Sequence, residues 1–150
     1  MRRFLTLLLC AALPLLVSCI GPDVSETFVL RDDCAIDGIY RFEVDMSDSL
    51  SRYDLSLYTR IDGNHQRPDA DKGVRLKMIW TSPSGRDYSE NVYFSFVDSS
   101  REDGFFSLQC ILPYRSGLVP KDFGVWTLTL QQLKEIRDLR GWGLICERKR

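Results

Sequence analysis

The apolar positions of this chain follow two regimes. From Phe4 to Val17 they run almost unbroken; from Tyr40 onward they alternate with polar residues. In GIYRFEVDM, Tyr40, Phe42, Val44 and Met46 share one face. In RYDLSLYTR, Tyr53, Leu55 and Leu57 alternate with Asp54, Ser56 and Tyr58. VRLKMIW sets Leu76, Met78 and Trp80 against Arg75, Lys77 and Ile79. NVYFSF groups Val92, Phe94 and Phe96, and FFSLQCIL groups Phe106, Leu108, Cys110 and Leu112. VWTLTLQ opposes Trp126, Leu128 and Leu130 to Thr127 and Thr129, and WGLICER closes the series. A period of two puts successive side chains on opposite faces, so these segments predict half-buried strands of antiparallel sheets.

The connections carry turn chemistry. SPSGRD, between Trp80 and Tyr88, reads as a hairpin turn made by Pro83 and Gly85. IDGNHQRPDADKG reads as a long polar loop. LPYRSGLVPKDFG reads as another, since its two prolines disfavour a continuous strand. One segment departs from period two: QQLKEIRDLRG spaces Leu133, Ile136 and Arg137 as a helix would, with Gly141 placed to end it. Seven to eight short strands then predict an all-β fold, an antiparallel β-sandwich of jelly-roll or immunoglobulin-like kind with one short helix near the C-terminus.

The first regime is different in kind. Arg2 and Arg3 precede a short apolar run, which reads as a secretory signal over residues 1–18. The run is too short to span a bilayer, which takes about 20 apolar residues. Leu16, Val17, Ser18 and Cys19 resemble a bacterial lipobox, so Cys19 is the expected lipidation site and first mature residue. Residues 19–25 read as the lipidated cysteine with a short tether, and residues 26–150 as the sandwich domain. Acyl chains gain roughly 0.8 kcal/mol per buried CH₂, enough when multiple to hold a soluble domain on one leaflet.

The formal charge is −1 with both signs mixed, and becomes slightly more negative without the signal. This balance argues against a nucleic-acid partner and against electrostatic membrane adhesion. Cys34, Cys110 and Cys146 remain after the signal and the lipidated residue are set aside. They read either as one disulfide of unknown pairing plus a thiol, or as three buried thiols.

No catalytic or cofactor-binding constellation stands out. His65, the sole histidine, sits in a polar loop where solvation is the simpler reading. Asp69 and Asp71 open a stretch like a calcium loop but lack its further acidic ligands. Glu43, Asp45 and Asp48 offer carboxylate pairs of a kind any acidic chain offers. No metal, cofactor or catalytic residue is therefore expected. Trp80 and Trp126 fall in register with Leu and Met, which predicts core. Trp142, between Gly141 and Gly143, fits either core or surface.

Two stretches carry a likeness. YRFEVDMSDSLSRYDLSLYTRID holds Phe42, Asp45, Tyr53, Leu55, Leu57 and Arg60. FGVWTLTLQQLKEIRDLRGWGLICER holds Gly124, Trp126, Leu128, Gln131, Arg137, Leu139, Gly141, Gly143 and Leu144. With the lipobox cysteine, these resemble the gliding-motility-associated lipoprotein family GldH of Bacteroidetes. The middle of the chain keeps only a Pro-x-Gly hairpin of that pattern. The resemblance implies a non-catalytic, lipid-anchored sandwich in the cell envelope, associated with gliding or type IX secretion machinery. It implies envelope protein partners, with the membrane reached through the lipid. A single acid, Asp23, soon after Cys19 suggests an outer-membrane anchor facing the periplasm. The rival expectation is a carbohydrate-binding lipoprotein that uses Trp142 and Tyr58 as its surface.

Overall fold

Period-two segments do pair, and they do so in two sheets. The computed structural model describes residues 23–33, 38–62, 73–96, 100–103 and 107–150. Among them are strands β1 (Val24–Leu30), β2 (Ile39–Met46), β3 (Arg52–Asp62), β4 (Val74–Thr81) and β5 (Asp87–Phe94). They continue with β6 (Ser100–Asp103), β7 (Ser107–Leu118), β8 (Gly124–Gln132) and β9 (Leu139–Lys149). One sheet has the order β1-β9-β3-β7-β6 and the other β2-β8-β4-β5. All pairings between them are antiparallel. The fold is an all-β sandwich.

The alternation decides which rows meet. Tyr40, Phe42, Val44 and Met46 of β2 are buried beside Trp126, Leu128 and Leu130 of β8, in a register that pairs Phe42 with Leu128 and Val44 with Trp126. From the other sheet come Leu55 and Leu57 of β3, Leu112 of β7, and Trp142 and Leu144 of β9. All join one core. Each such side chain contributes about 1.5–3 kcal/mol on leaving water.

Strand direction gives the sandwich two distinct ends. Val24 pairs with Glu147, and Tyr53 pairs with both Arg148 and Leu118, so the start of β1 shares an end with the finish of β7 and β9. Gly124 pairs with Met46 and Thr81 with Thr127, which brings three connections to that same end: residues 47–51, 82–86 and 119–123. We call it the N-terminal end. Its turns are tightly made. Asp48 accepts hydrogen bonds from the Leu50 amide (3.0 Å) and the Ser51 hydroxyl (2.8 Å). The SPSGRD hairpin forms as its sequence predicts, with Gly85 at φ 80° and its amide donating to the Ser82 carbonyl at 2.9 Å.

Several expectations need correction. The short helix near the C-terminus is absent: residues 133–138 form an irregular turn between β8 and β9. Neighbouring strands take the backbone groups a helix would need. The Leu133 amide donates to the Arg75 carbonyl, and the Asp138 carbonyl accepts from Asp62. Too few residues remain to repay helix nucleation. Gly141, read as a helix stop, lies inside β9. The segment after Leu112 is strand rather than loop, since β7 runs through Pro113 to Leu118. Its pairing with β6 stops at Ile111, so a residue without an N–H is tolerated beyond, and register shifts near Leu55 absorb the bend. β1 was not anticipated; it starts at Val24, inside the segment read as tether. The signal peptide (1–18) and the Leu16, Val17, Ser18 and Cys19 lipobox lie outside the described residues.

β1 is held at the sheet edge by rings over glycines. Phe28 pairs with Gly143 and stacks on Tyr58 at 5.3 Å between centroids. The Arg60 guanidinium lies 5.3 Å from the centre of the Phe28 ring. A β-carbon on Gly143 would stand 2.2 Å from two atoms of the Tyr58 ring. Gly143→Ala is therefore expected to cost roughly 1–3 kcal/mol in urea denaturation, as overpacking does. In a chain also carrying Tyr58→Ala the same change should cost clearly less; equal costs in both backgrounds would refute this account.

Candidate binding cleft

Most residues singled out in the sequence do not converge. Trp142 is fully buried on the inner face of β9, its indole N–H donating to the Gln132 side chain at 3.3 Å. Tyr58 is also buried, on the outer face of the same sheet beneath Phe28. Its hydroxyl is hydrogen-bonded to Glu26, and burial first, then that carboxylate, raises its pKa. Neither residue offers a binding surface, which corrects the expectation for both. The glycines flanking Trp142 make room for Tyr58 and Phe28, not for a ligand.

Cys110 and Cys146 are buried but not joined to each other. They sit on β7 and β9, on opposite sides of β3, opposite Thr59 and Leu55. Two strand spacings of about 4.8 Å already exceed the reach of a disulfide. Burial pushes the Cys146 thiol up to about 11. Cys34, His65, Asp69 and Asp71 lie outside the described residues. Glu43 and Asp45 project away from the core row, where Asp45 accepts the Ser47 amide at 3.0 Å. Asp48 shapes its turn, and the Leu50 and Ser51 bonds hold its carboxyl below the usual range. Among the described residues no group of three His, Cys, Asp or Glu side chains could hold a metal.

A cleft of about 450 Å³ opens instead at the N-terminal end, between the ends of the two sheets. Trp80 of β4, Tyr88 and Glu90 of β5, Trp126 of β8, Arg115 of β7 and Lys121 line it, with Met46, Leu118 and Val119. The Trp80 and Trp126 rings meet edge to face at 6.3 Å, and Tyr88 lies 6.1 Å from Trp126. Tyr88 is nearly half exposed, Trp126 almost buried. Trp126 donates its indole N–H to the Asp122 carbonyl at 2.8 Å, and Ser84 donates to the Asp122 carboxylate at 2.7 Å. Those two bonds fix the loop that walls the cleft.

A polar relay runs along one side. The Trp80 indole N–H donates to the Tyr114 hydroxyl at 2.8 Å, and that hydroxyl donates to Glu90 at 2.5 Å. Arg115 Nη2 donates to both Glu90 oxygens at 2.6 Å, and its guanidinium lies 5.0 Å from the centre of the Tyr114 ring. The pair is partly exposed, so its net worth is at most about 1 kcal/mol. Its value lies in presenting a carboxylate and a guanidinium beside flat apolar walls, the combination that orients small ligands.

The periodicity explains why the cleft is hidden in the sequence. Trp80 and Trp126 occupy core parity, and only their place near strand ends leaves them at a wall. One signal was available: Glu90 shares parity with Val92 and Phe94, a carboxylate in an apolar row.

Burial, then the Glu90 bond, pushes the Tyr114 hydroxyl up to about 12 from an ordinary 10. A raised pKa gives stability that is complete below pH 10 and lost as pH climbs to about 12. Urea midpoints measured across that interval should fall less steeply for Tyr114→Phe than for the parent chain. Identical slopes would sink the assignment.

No protein-family model matches the chain, and no curated protein matches its sequence.

Proposed function

We propose that this chain is a lipid-anchored envelope protein that acts by binding, as an accessory component of gliding-motility or type IX secretion-related machinery. The observation that carries this reading is Leu16-Val17-Ser18-Cys19 at the end of a short apolar run. The sandwich supports it, being the architecture that the resemblance to the gliding lipoproteins implies. Several of the matching residues have structural work in it: Tyr53, Leu55, Leu57, Trp126, Leu128 and Leu144 in the core, Gly143 under Tyr58. The proposed anchor is the outer membrane, with the domain in the periplasm. Anchoring confines the domain to one surface and raises its effective concentration for partners there.

Growth with an alkyne-bearing fatty acid should label the protein, and Cys19→Ser should lose the label. Crosslinking in native envelopes, followed by mass spectrometry, should recover gliding or secretion subunits. An unlabelled parent chain would end the anchor reading. A labelled chain without such partners would end the machinery reading.

The cleft favours a second reading, carbohydrate binding, at a place other than Trp142 and Tyr58. Trp80, Tyr88 and Trp126 supply ring surfaces, and Glu90 with Arg115 supplies hydrogen-bonding groups beside them. Titration with oligosaccharides should then change tryptophan emission, and Tyr88→Ala should weaken binding roughly tenfold. Emission unmoved across a glycan panel would reject this reading.

A further inference from the structure

We infer that the N-terminal end of the sandwich is a membrane-contacting surface, whose apolar loop residues enter the lipid interface beside the anchor. The inference rests on the lipid-anchor reading for what brings the domain to a bilayer; the exposed residues and the fixed loops that carry them stand apart from it.

The first support is where apolar side chains are left in water. Leu50, at 87 % exposure, projects from the β2–β3 connection, and Val119 (53 %) and Phe123 (49 %) from the β7–β8 connection. Strand register puts both connections at the end where β1 begins. Val24, the first residue of β1, is exposed there too. Leu30, Tyr93 and Leu133 are exposed toward the far end, but Leu50, the most exposed of all, and two side chains of one loop, Val119 and Phe123, cluster on adjacent connections here, as an interaction surface does.

The second support is that these loops are held outward. Asp48 fastens the turn that carries Leu50. Ser84 and Trp126 fasten Asp122, next to Phe123, from its side chain and its carbonyl. Pro120 is buried between Val119 and Lys121, which anchors the loop in the cleft wall. The exposed side chains are thus presented by fixed backbone.

The third support is reach. Four residues, Ile20 to Asp23, separate Cys19 from Val24. Fully extended, that stretch spans about 18 Å at most. A lipid on Cys19 therefore keeps the start of β1, and with it this end of the domain, within that distance of the bilayer.

Charge completes the argument by choosing the mode of contact. Four cations of this end pair with carboxylates, Arg148 with Asp23 at 3.2 Å, Arg150 with Asp48 at 3.7 Å, Arg115 with Glu90, and Lys149 with Asp54, while Arg52, Arg86 and Lys121 are interspersed with Asp45, Asp87 and Asp122. No large single-sign field results. Apolar insertion, reaching roughly 5–10 Å into the headgroup boundary, is the mode that such a surface supports.

The test uses the full chain purified from its host and reconstituted in phosphatidylcholine vesicles, with or without bromine on the acyl chains. Tryptophan is introduced singly as Val119→Trp, Phe123→Trp and, at the far end, Leu133→Trp, with circular dichroism confirming each fold. We expect brominated lipid to remove roughly half of the added emission at positions 119 and 123, none at 133, and high salt to leave this unchanged. The mass of the N-terminal peptide, read on the same samples, reports acylation of Cys19 independently. Absent or equal quenching at all three positions on acylated chains overturns the membrane-contacting end and leaves the anchor standing. Selective quenching on chains without an acyl group supports that end and overturns the anchor. Absence of both acylation and quenching overturns both.

Discussion

The fold depends on two apolar rows meeting face to face. Leu57 of β3 lies between Leu112 and Leu144 in its own sheet and faces a second row built from Phe42, Val44, Trp126 and Leu128. Everything else is arranged around that contact. Two connections at the N-terminal end, residues 47–51 and 119–123, cross between the sheets, and each sheet alone would leave one apolar face in water. Trp142 is committed to the core by the same parity: opposite Thr59, it has no outward option. Tyr58, one position from Leu57, must face the other way, and the chain shelters it by placing Gly143 beneath and Phe28 beside it.

Much of this was legible because a period of two is a local signal. The rows in β2, β3, β4 and β8 could be read residue by residue, and the Pro83–Gly85 hairpin announced itself by its turn chemistry. What failed was information that sequence spacing does not carry. Leu133 and Ile136 sit at helical spacing, yet the Leu133 amide donates to Arg75 and the Asp138 carbonyl accepts from Asp62, on strands distant in the chain. Pro113 reads as a strand breaker until the pairing of β7 with β6 is seen to stop at Ile111. β1 has little alternation in VSETFVL, because an edge strand with one ring-covered face has no apolar row to display.

The cleft illustrates the same limit at a site. Parity assigns Trp80, Trp126 and Glu90 to the interior; position along the strand for the two tryptophans, and the place of β5 at the sheet edge for Glu90, decide whether the interior is closed there. Near the middle of the strands the opposite sheet covers the row, as over Met78 and Leu130, which are wholly buried. Toward the N-terminal end the sheets part, and the same parity yields a wall. Glu90 lies level with the wholly buried Met78, but on β5, the edge strand of its sheet, where Tyr114 and Arg115 reach it and water is near; a carboxylate on the inner strand β4 would be costly. Aromatic bulk and ionised groups can therefore share one row of one strand.

The edge position of β1 has a mechanical meaning. A tension applied through the N-terminus enters the sandwich at Val24 and, when balanced at the far end, acts along the strand axis. The β1–β9 ladder, from Val24–Glu147 to Leu30–Gly141, is then sheared as a unit instead of being peeled pair by pair. The stacked Phe28 and Tyr58 rings add friction midway along it. Pulled from the side, the same ladder would unzip one bond at a time. Load entering at Val24 thus meets a domain stiff to traction along the strands and weak to sideways tearing, a directional strength set by which end of β1 comes first in the chain.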